Sequence, residues 1–287
     1  MRDTVGGHYT NLIPNHTSEK SDIYKHVGKV AKDCVANYIP EESVALRNYW
    51  QVNEITRSMA KKPVMTFVYG STLLSNIDSL VLEMSDSGMS DIRDPASGRV
   101  VYSLNRLATP VAKALRKAVV DTVPKAAGMM KYLRGLVSAS DDRLRWITPV
   151  GVPVSNWVDS MEIKQVSIKA MGINAIFFKQ PTKVYDKRAA SAGISPNYIH
   201  SMDAAHLCKT LLYFDGSIMP IHDSFATYPS DVELMQKAIR ETFVRLYSDY
   251  DFNNFLIYNN IDVVKHKPPM QGTLDLEVVK DSEFFFC

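Results

Sequence analysis

The sequence has few cysteines, almost no net charge and no long apolar run, and each shortage excludes something. Its three cysteines, Cys34, Cys208 and Cys287, are widely spaced, odd in number and outside any CxxC pair. That argues against a disulfide framework and for a reducing compartment. The 33 Lys and Arg nearly cancel the 31 Asp and Glu, leaving +2, so any basic surface for a polyanion must be local. No apolar stretch reaches membrane-spanning length and no signal-type or transit-type leader is visible, so a cytoplasmic location is expected. Internal repeats and low-complexity segments are absent too. What remains is 287 residues, 46% hydrophobic, enough to bury a large core in one or two domains.

The stretch Arg57 to Thr72, RSMAKKPVMTFVYGST, stands out. Arg57, Lys61, Met65 and Tyr69 recur every fourth residue, so on a helix they form one continuous stripe. An ordinary amphipathic helix would put apolar side chains at this spacing; here two cations lead to a thioether and a phenol. Such a face suits a polyphosphate bearing a sugar and a base. The Arg57 fork can grip phosphate oxygens, Lys61 can act as a point charge, and Tyr69 can meet the ribose side. Gly70 is placed to end the helix. Taken alone, a solvated cationic face is the commoner meaning of such a pattern. Pro63 predicts a kink or a fresh start, since it removes a backbone donor at a cost of about 3 kcal/mol.

Around the stripe the periodicity predicts helices over about 21–38, from about Glu41, over 73–83 and from Leu107 to Val123, with a polar loop after Glu83. Lys113, Arg116, Lys117, Lys125, Lys131 and Arg134 make the last of these the most basic region, either a solvated face or a path for phosphates. RWITPVGVPVSNW and MEIKQVSIKAMG then read as two strands joined around Asn156 to Ser160, a projecting hairpin. Ser195-Pro196 looks like an N-cap followed by proline at the first helical position. The helix beyond places His200, Asp203 and His206 three apart, a pattern open to a divalent metal and, on chemistry alone, to a metal-dependent hydrolase. In SIMPIHDSFATYP two short apolar strands meet at a turn carrying Asp223. Ser230 and Glu233 have the spacing of a capping box, before a helix with Val232, Met235, Ile239, Phe243, Leu246 and Tyr250 inward.

Several of these stretches share one resemblance. R-x-x-x-K-x-x-V-M-T-x-x-Y-G, from Arg57 to Gly70, resembles motif B of the phage-type single-subunit RNA polymerases, a family that includes mitochondrial transcriptases. I-H-D-S-F, at 221–225, resembles motif C. The related DNA polymerases carry an aromatic residue where Met65 stands and typically Glu where Ser224 stands, which leans the resemblance toward RNA synthesis. P-N-x-x-H-S-x-D-x-A-H, at 196–206, is similar to the family too, as are W-x-T-P-x-G-x-P-V at 146–154 and the tail from KPPMQGTLDL to EFFFC. R-D-x-V-G-G-x-x-x-N-L-x-P, at 2–14, resembles the segment just after motif A. The likeness covers nearly the whole chain, as the C-terminal portion of such a polymerase.

The resemblance implies a mixed α/β right-hand polymerase fold, mostly helical fingers with part of an antiparallel palm sheet. Residues 1–13 and 200–287 would be palm, and 14–199 fingers carrying a promoter-recognition-type hairpin at about 146–179. DNA-templated RNA synthesis from rNTPs is implied, with DNA template and promoter and nascent RNA as partners. Asp223, Lys61 and Tyr69 would be catalytic. Arg57, Lys61, Met65, Tyr69, Gly70 and His200 would contact substrate, His200 as a neutral group near the nucleotide with Asp203 orienting its surroundings. Asp223 would hold Mg²⁺ in a two-metal site. Lys164, Gln165, Ser167 and Lys169 would read promoter DNA. The motif A aspartate lies upstream of Met1, so an N-terminal polymerase chain or segment is the expected partner, and the cell an infected bacterial host if the chain is phage-encoded. A truncated, inactive nucleic-acid-binding remnant is the alternative.

Overall fold

The computed structural model describes residues 1–15, 19–168, 173–221 and 223–285, with the side chains of Ser167, Ile168 and 173–176 outside the description. The fold is mixed α/β: long helices alternate with small antiparallel sheets, each of two strands. No helix among the described residues is long and apolar enough to cross a membrane.

One core is built entirely from residues between 23 and 130. Helices α2 (Ile23–Cys34), α4 (Arg57–Phe67), α5 (Leu73–Asp86) and α6 (Leu104–Thr122) pack around it, with α1 (Thr4–Tyr9) and α3 (Val44–Val52) at its margin. In α6, Leu107, Val111, Leu115 and Val119 repeat every fourth residue and are buried, and Ala108, Ala112, Ala114 and Ala118 beside them are fully buried too. Small residues between large ones let neighbouring helices approach closely. The loop after α5 carries a small hairpin, β1 (Ile92–Arg93) with β2 (Val100–Tyr102), where the sequence predicts only loop. Val123 breaks the long helix, and α7 (Pro124–Ala139) restarts with Pro124 at its first turn, as proline's fixed φ favours.

A second core gathers α7, the strand β3 (Arg145–Ile147), the start of α8 (Lys187–Tyr213) and α10 (Asn253–Tyr258) around Trp146, Ile194 and Phe255. A third joins α9 (Val232–Asp249) to the C-terminal segment, with Leu12, Phe214 and Phe225 against it. The ends of the described chain meet. Met1 and Arg2 carbonyls accept hydrogen bonds from Gly272 N (2.8 Å) and Leu274 N (3.2 Å), and the Ser282 hydroxyl donates to the Asn11 carbonyl at 2.6 Å.

Four expectations are corrected. Helix α4 runs unbroken through Pro63, whose ring is buried in the core-facing side; packing against α2, α5 and α6 outweighs the missing donor. Helix α8 begins not at Ser195-Pro196 but at Lys187, because the Asp186 carboxylate caps it by accepting from Ala189 N at 2.9 Å. Ser195 and Pro196 sit inside that helix. The expected capping box does not form: the Ser230 hydroxyl donates to Asp231 Oδ1 at 3.0 Å, and a 3₁₀ turn over Pro229–Asp231 leads into α9. Within α9 the expected inward face holds at Met235, Ile239 and Leu246, while Val232 is exposed.

The fourth correction concerns the hairpin, which is two hairpins. Strand β3 turns back onto β4 (Pro153–Ser155) through Thr148 to Val152, where Gly151 takes a φ of +84°. Asn156, expected in the turn, is fully buried: it donates to the Ala190 carbonyl at 3.0 Å and accepts from Asn197 at 2.8 Å. The long ribbon pairs β5 (Asp159–Ile168) with β6 (Ile173–Tyr185), so the expected span 146–179 becomes 159–185. The Pro149-Gly151 turn chemistry reverses the chain after three residues, where alternation alone suggested a long strand.

Two glycines of opposite surroundings test this packing. A Cβ on Gly272 would fall 1.9 Å from the Arg2 carbonyl oxygen, whereas one on Gly128, inside α7, would meet nothing within 4 Å. Gly272→Ala is expected to cost about 1–3 kcal/mol through forced backbone shifts, and Gly128→Ala to stabilise by about 0.5–1 kcal/mol. Urea denaturation of both variants measures the two signs.

Candidate active site

Helix α4 starts with a hydroxyl cap, Thr56 Oγ1 accepting from Met59 N at 3.3 Å. It buries Met59, Ala60, Pro63, Val64 and Phe67. The opposite face is the predicted stripe, and Arg57, Lys61, Met65 and Tyr69 are all exposed on it. Helix α4 ends at Phe67, and Tyr69 and Gly70 stand in the turn that closes it, where Gly70, the expected cap, has a φ of +81° and donates its N–H to the Phe67 carbonyl at 2.9 Å. A Cβ there would meet Arg134 Nη2 at 2.6 Å and the Ala192 carbonyl oxygen at 3.1 Å.

At the N-terminal end of the stripe Arg57 is already engaged. It forms an ion pair with Asp22 and lies over the Tyr24 ring, 5.2 Å from its centroid. Burial works against the Asp22 carboxylate, but hydrogen bonds from Arg57 and the Lys25 N–H outweigh it and hold its pKa below the usual range. Asp22 also caps α2. Its pairing with Arg57 was not legible in sequence, because nothing local links residues so far apart.

At the other end the Tyr69 ring lies 4.8 Å from that of His200, on α8. Burial pushes the Tyr69 phenol up, and the negative charges of Asp203 and then Asp223 push it further. Burial also raises the Asp203 carboxyl; nearby His200 pulls it down, and Asp223 adds to the rise. Tyr69, His200, Asp203 and Asp223, drawn from three distant stretches, therefore share one electrostatic neighbourhood. Asp223 stands on the predicted turn between β7 (Met219–Ile221) and β8 (Ser224–Ala226), where Ile221 pairs with Ser224. His222 lies outside the described residues. Asp223 is exposed and forms no ion pair among the described residues.

The possible metal triad is not assembled. His206 turns into the core, 5% exposed, with its Nε2 on the Ile239 carbonyl at 3.0 Å and the Phe243 ring 5.5 Å away. Among the described residues no group of three or more His, Cys, Asp or Glu is placed to hold a metal ion, and the hydrolase alternative loses its site. Within the basic region the charges have separate duties. Lys117 pairs with Asp121, and Arg116 donates to the Ser71 carbonyl at 2.7 Å. Arg116 and Arg134 thus flank the Tyr69-Gly70 turn, a position that their place in a basic run did not reveal.

The ribbon bears the predicted DNA readers. Lys164 is half-exposed and salt-bridged to Glu162 at 3.0 Å. Gln165 is exposed and lies opposite Phe177, and Ile163 opposite Lys179. Ser167 belongs to β5 but its side chain is outside the description, and Lys169 lies outside the described residues.

A family model described as DNA-dependent RNA polymerase matches residues 1–257. The chain belongs to that family, and its relatives are of the phage type. It is 34% identical over 298 residues to a DNA-directed RNA polymerase of Pseudomonas phage phiKMV, covering 100% of this chain and 35% of that protein. With the T7 RNA polymerase of Escherichia phage T7 it shares 28% over 343 residues, 100% of this chain and 38% of that one. A human mitochondrial DNA-directed RNA polymerase is 29% identical over 313 residues, 99% of this chain and 24% of the relative. The chain thus spans little more than a third of the phage relatives' length, consistent with a C-terminal portion of such a polymerase.

The placement of His206 has a measurable consequence. Burial lowers its pKa from 6.5, with the Ile239 hydrogen bond partly opposing. The unfolded chain therefore takes up this proton first, and stability present above about pH 6.5 is lost as the pH falls below it. His206→Gln is expected to flatten that part of the fall and to cost about 1–3 kcal/mol at neutral pH by disturbing a buried hydrogen bond. Urea midpoints between pH 5 and 8, compared with the native chain, check both.

Proposed function

We propose that this chain takes part in DNA-templated RNA synthesis by nucleotidyl transfer from rNTPs, supplying the motif B and motif C side of the site. The observation that carries this is the meeting of Tyr69, at the end of an exposed cationic stripe, with His200, Asp203 and Asp223. The stripe is long enough for a triphosphate. Lys61 is exposed at its middle, and Arg57 can exchange Asp22 for phosphate, since exposed ion pairs contribute only about 0–1 kcal/mol. Met65 lies between the cations and Tyr69, at the base-and-sugar end. Gly70 keeps the Tyr69 turn narrow.

The donor chemistry at Asp223 fits Mg²⁺: an exposed carboxylate on a two-strand turn, in no ion pair among the described residues, whose charge already disfavours ionisation of Asp203. Bound Mg²⁺ would activate the 3′-hydroxyl and neutralise the leaving pyrophosphate. The chain's own residues position the triphosphate and orient the sugar, which is most of the work in phosphoryl-type transfer.

The second carboxylate comes from a polymerase segment that precedes Met1 or from a separate chain. Two features support this. Both outer edges of the β7–β8 pair are unpaired among the described residues, and a lone two-stranded sheet is marginal in water. Beside Met1, Gly7, Met129, Met202 and Tyr247 an apolar cavity of about 400 Å³ opens, and in its wall the fully buried Ser195 hydroxyl has no hydrogen-bond partner among the described residues. In a right-hand arrangement, 1–13 and 200–287 are palm and 14–199 fingers. The self-contained core of residues 23–130 supports a separate finger unit, and the contacts of residues 1–12 with 272–282 support a joint palm. The ribbon β5–β6 is the promoter reader, with Lys164 and Gln165 successive along β5 and so on opposite faces, and with Ser167 and Lys169 as its further readers. Template, nascent RNA and promoter DNA are the partners, and the cytoplasm of an infected host cell the setting.

Two experiments test the reading. In a polymerase reconstituted with its N-terminal part, Asp223→Ala is expected to abolish Mg²⁺-dependent RNA synthesis and leave assembly intact. An inactive remnant would instead bind nucleic acid and show no synthesis before the substitution. Tyr69→Phe keeps the ring and removes the hydroxyl. It is expected to raise dNTP use relative to rNTP with rNTP use largely preserved; an unchanged ratio in competition assays would return Tyr69 to a packing role.

A further inference from the structure

The ribbon β5–β6 meets the rest of the molecule only at its base. Neither strand has more than marginal contact with any other element, and Met161, Ile163 and Phe177 are more than half exposed along it. Its direction must be set where it leaves the body, and that place is a soft joint. The pairing begins with Asp159 opposite Tyr185, then slips register before Met161, while Lys183 on the facing strand takes a φ of +62°. Such a bulge re-aims a strand and leaves its ladder locally broken. Around it the side chains compensate: the Ser160 and Thr182 hydroxyls bond each other at 2.5 Å, and Thr182 Oγ1 also donates to the Ser160 carbonyl at 3.0 Å.

One guanidinium spans this joint. Arg143, just before β3, lies over Trp157 with its central carbon 3.4 Å from the ring centroid, and 5.5 Å from that of Tyr185. Its Nη2 is 4.0 Å from Asp159 Oδ1, the atom that also accepts from the Trp157 indole at 2.7 Å. The Arg143 side chain is 21% exposed. It therefore lies beside Trp157, two residues before the ribbon, beside the first residue of one strand and beside the last of the other. The next residue, Asp186, donates its N–H to the Val158 carbonyl at 2.9 Å and caps α8, the helix that carries His200 and Asp203. The base of the ribbon and the start of that helix are one unit.

We propose that Arg143 is the positioning residue of the ribbon, its stacked guanidinium fixing the angle at which β5–β6 leaves the body. Given the reading of the ribbon as promoter reader, that angle governs which DNA is engaged at initiation and has no part in extension. A planar, delocalised cation is required, because lysine keeps the charge but cannot stack on an aromatic face.

The test uses the assembled polymerase with spin labels at Ile163→Cys on the ribbon and Val120→Cys on α6, the natural cysteines replaced by serine. Arg143→Ala and Arg143→Lys are each expected to broaden the label-to-label distance distribution about twofold. Promoter-started synthesis should fall about tenfold, as befits loss of a partly desolvated cation–π stack, while extension on a preassembled RNA–DNA scaffold stays within about twofold. Trp157→Phe, which keeps a ring, should restore most of the native behaviour, and Arg145→Ala, a nearby exposed arginine, should match the native protein. An unchanged distance distribution in Arg143→Ala overturns the proposal. So does a parallel loss of scaffold extension, which would make Arg143 a support of the fold. A broadened distribution with native promoter use leaves the positioning role standing and removes the promoter role from the ribbon.

Discussion

Gly70 occupies a place where no side chain fits. A Cβ there would meet the Arg134 guanidinium and the Ala192 carbonyl, so the turn after α4 comes close to α7 and α8 at a single residue in a left-handed conformation. Everything at the candidate site depends on that closeness. Tyr69, one residue earlier, is brought against His200 on α8, and α8 in turn presents Asp203 toward the turn that carries Asp223. Arg116, bonded to the Ser71 carbonyl, secures the same turn from the other side. Any other residue at position 70 would strain a left-handed backbone, displace the end of the Arg134 side chain and crowd the Ala192 carbonyl beside Tyr69. The two family motifs are thus one geometric object whose joint is a missing methyl group.

Electrostatics in this chain are arranged by neighbourhood. Opposite charges nearly cancel over the sequence, yet Arg57 and Lys61 lie along one exposed face, and Asp203 and Asp223 lie at its far end. Asp22 satisfies the start of α2 and holds Arg57 with the same carboxylate, so α2 and α4 are tied through a charge that remains solvent-accessible. Such a tie is weak enough to exchange for an incoming anion and strong enough to keep the arginine from folding back onto the surface.

Legibility followed locality. The stripe on α4 and the Asp223 turn were read correctly because each depends on residues within one turn or one hairpin, where periodicity and turn chemistry decide. Pro63 and Ser195-Pro196 misled for the same reason: they are local stop or start signals, and burial of Pro63 and of Ala190 and Ile194 overrode them. The capping box failed because Asp231, next to Ser230, drew its hydroxyl away from the backbone. The long hairpin was misplaced because alternation continues across the reversal at Gly151, and Asn156, polar and turn-like in sequence, proved to be a buried anchor. His206 shared a helix with His200 and Asp203, but the face that decides its role is set by α9, which arrives some thirty residues later. What sequence could not supply in any form was pairing across distance: Arg57 with Asp22, Arg134 with Gly70, Arg143 with Trp157.

The two ends of the described chain hold one another, the carbonyls of Met1 and Arg2 receiving the N–H groups of Gly272 and Leu274. This has a bearing on order in time. A protein made from its N-terminus exposes Met1 long before Leu274 exists, so the first residues must wait through synthesis of almost everything else. The helical core of residues 23–130 needs no such wait, since all its members are made together and short loops close at little entropic cost. The helical unit of residues 23–130 is therefore able to form on the emerging chain, while the surface around Asp223 is completed only when the strap at 272–274 has been made.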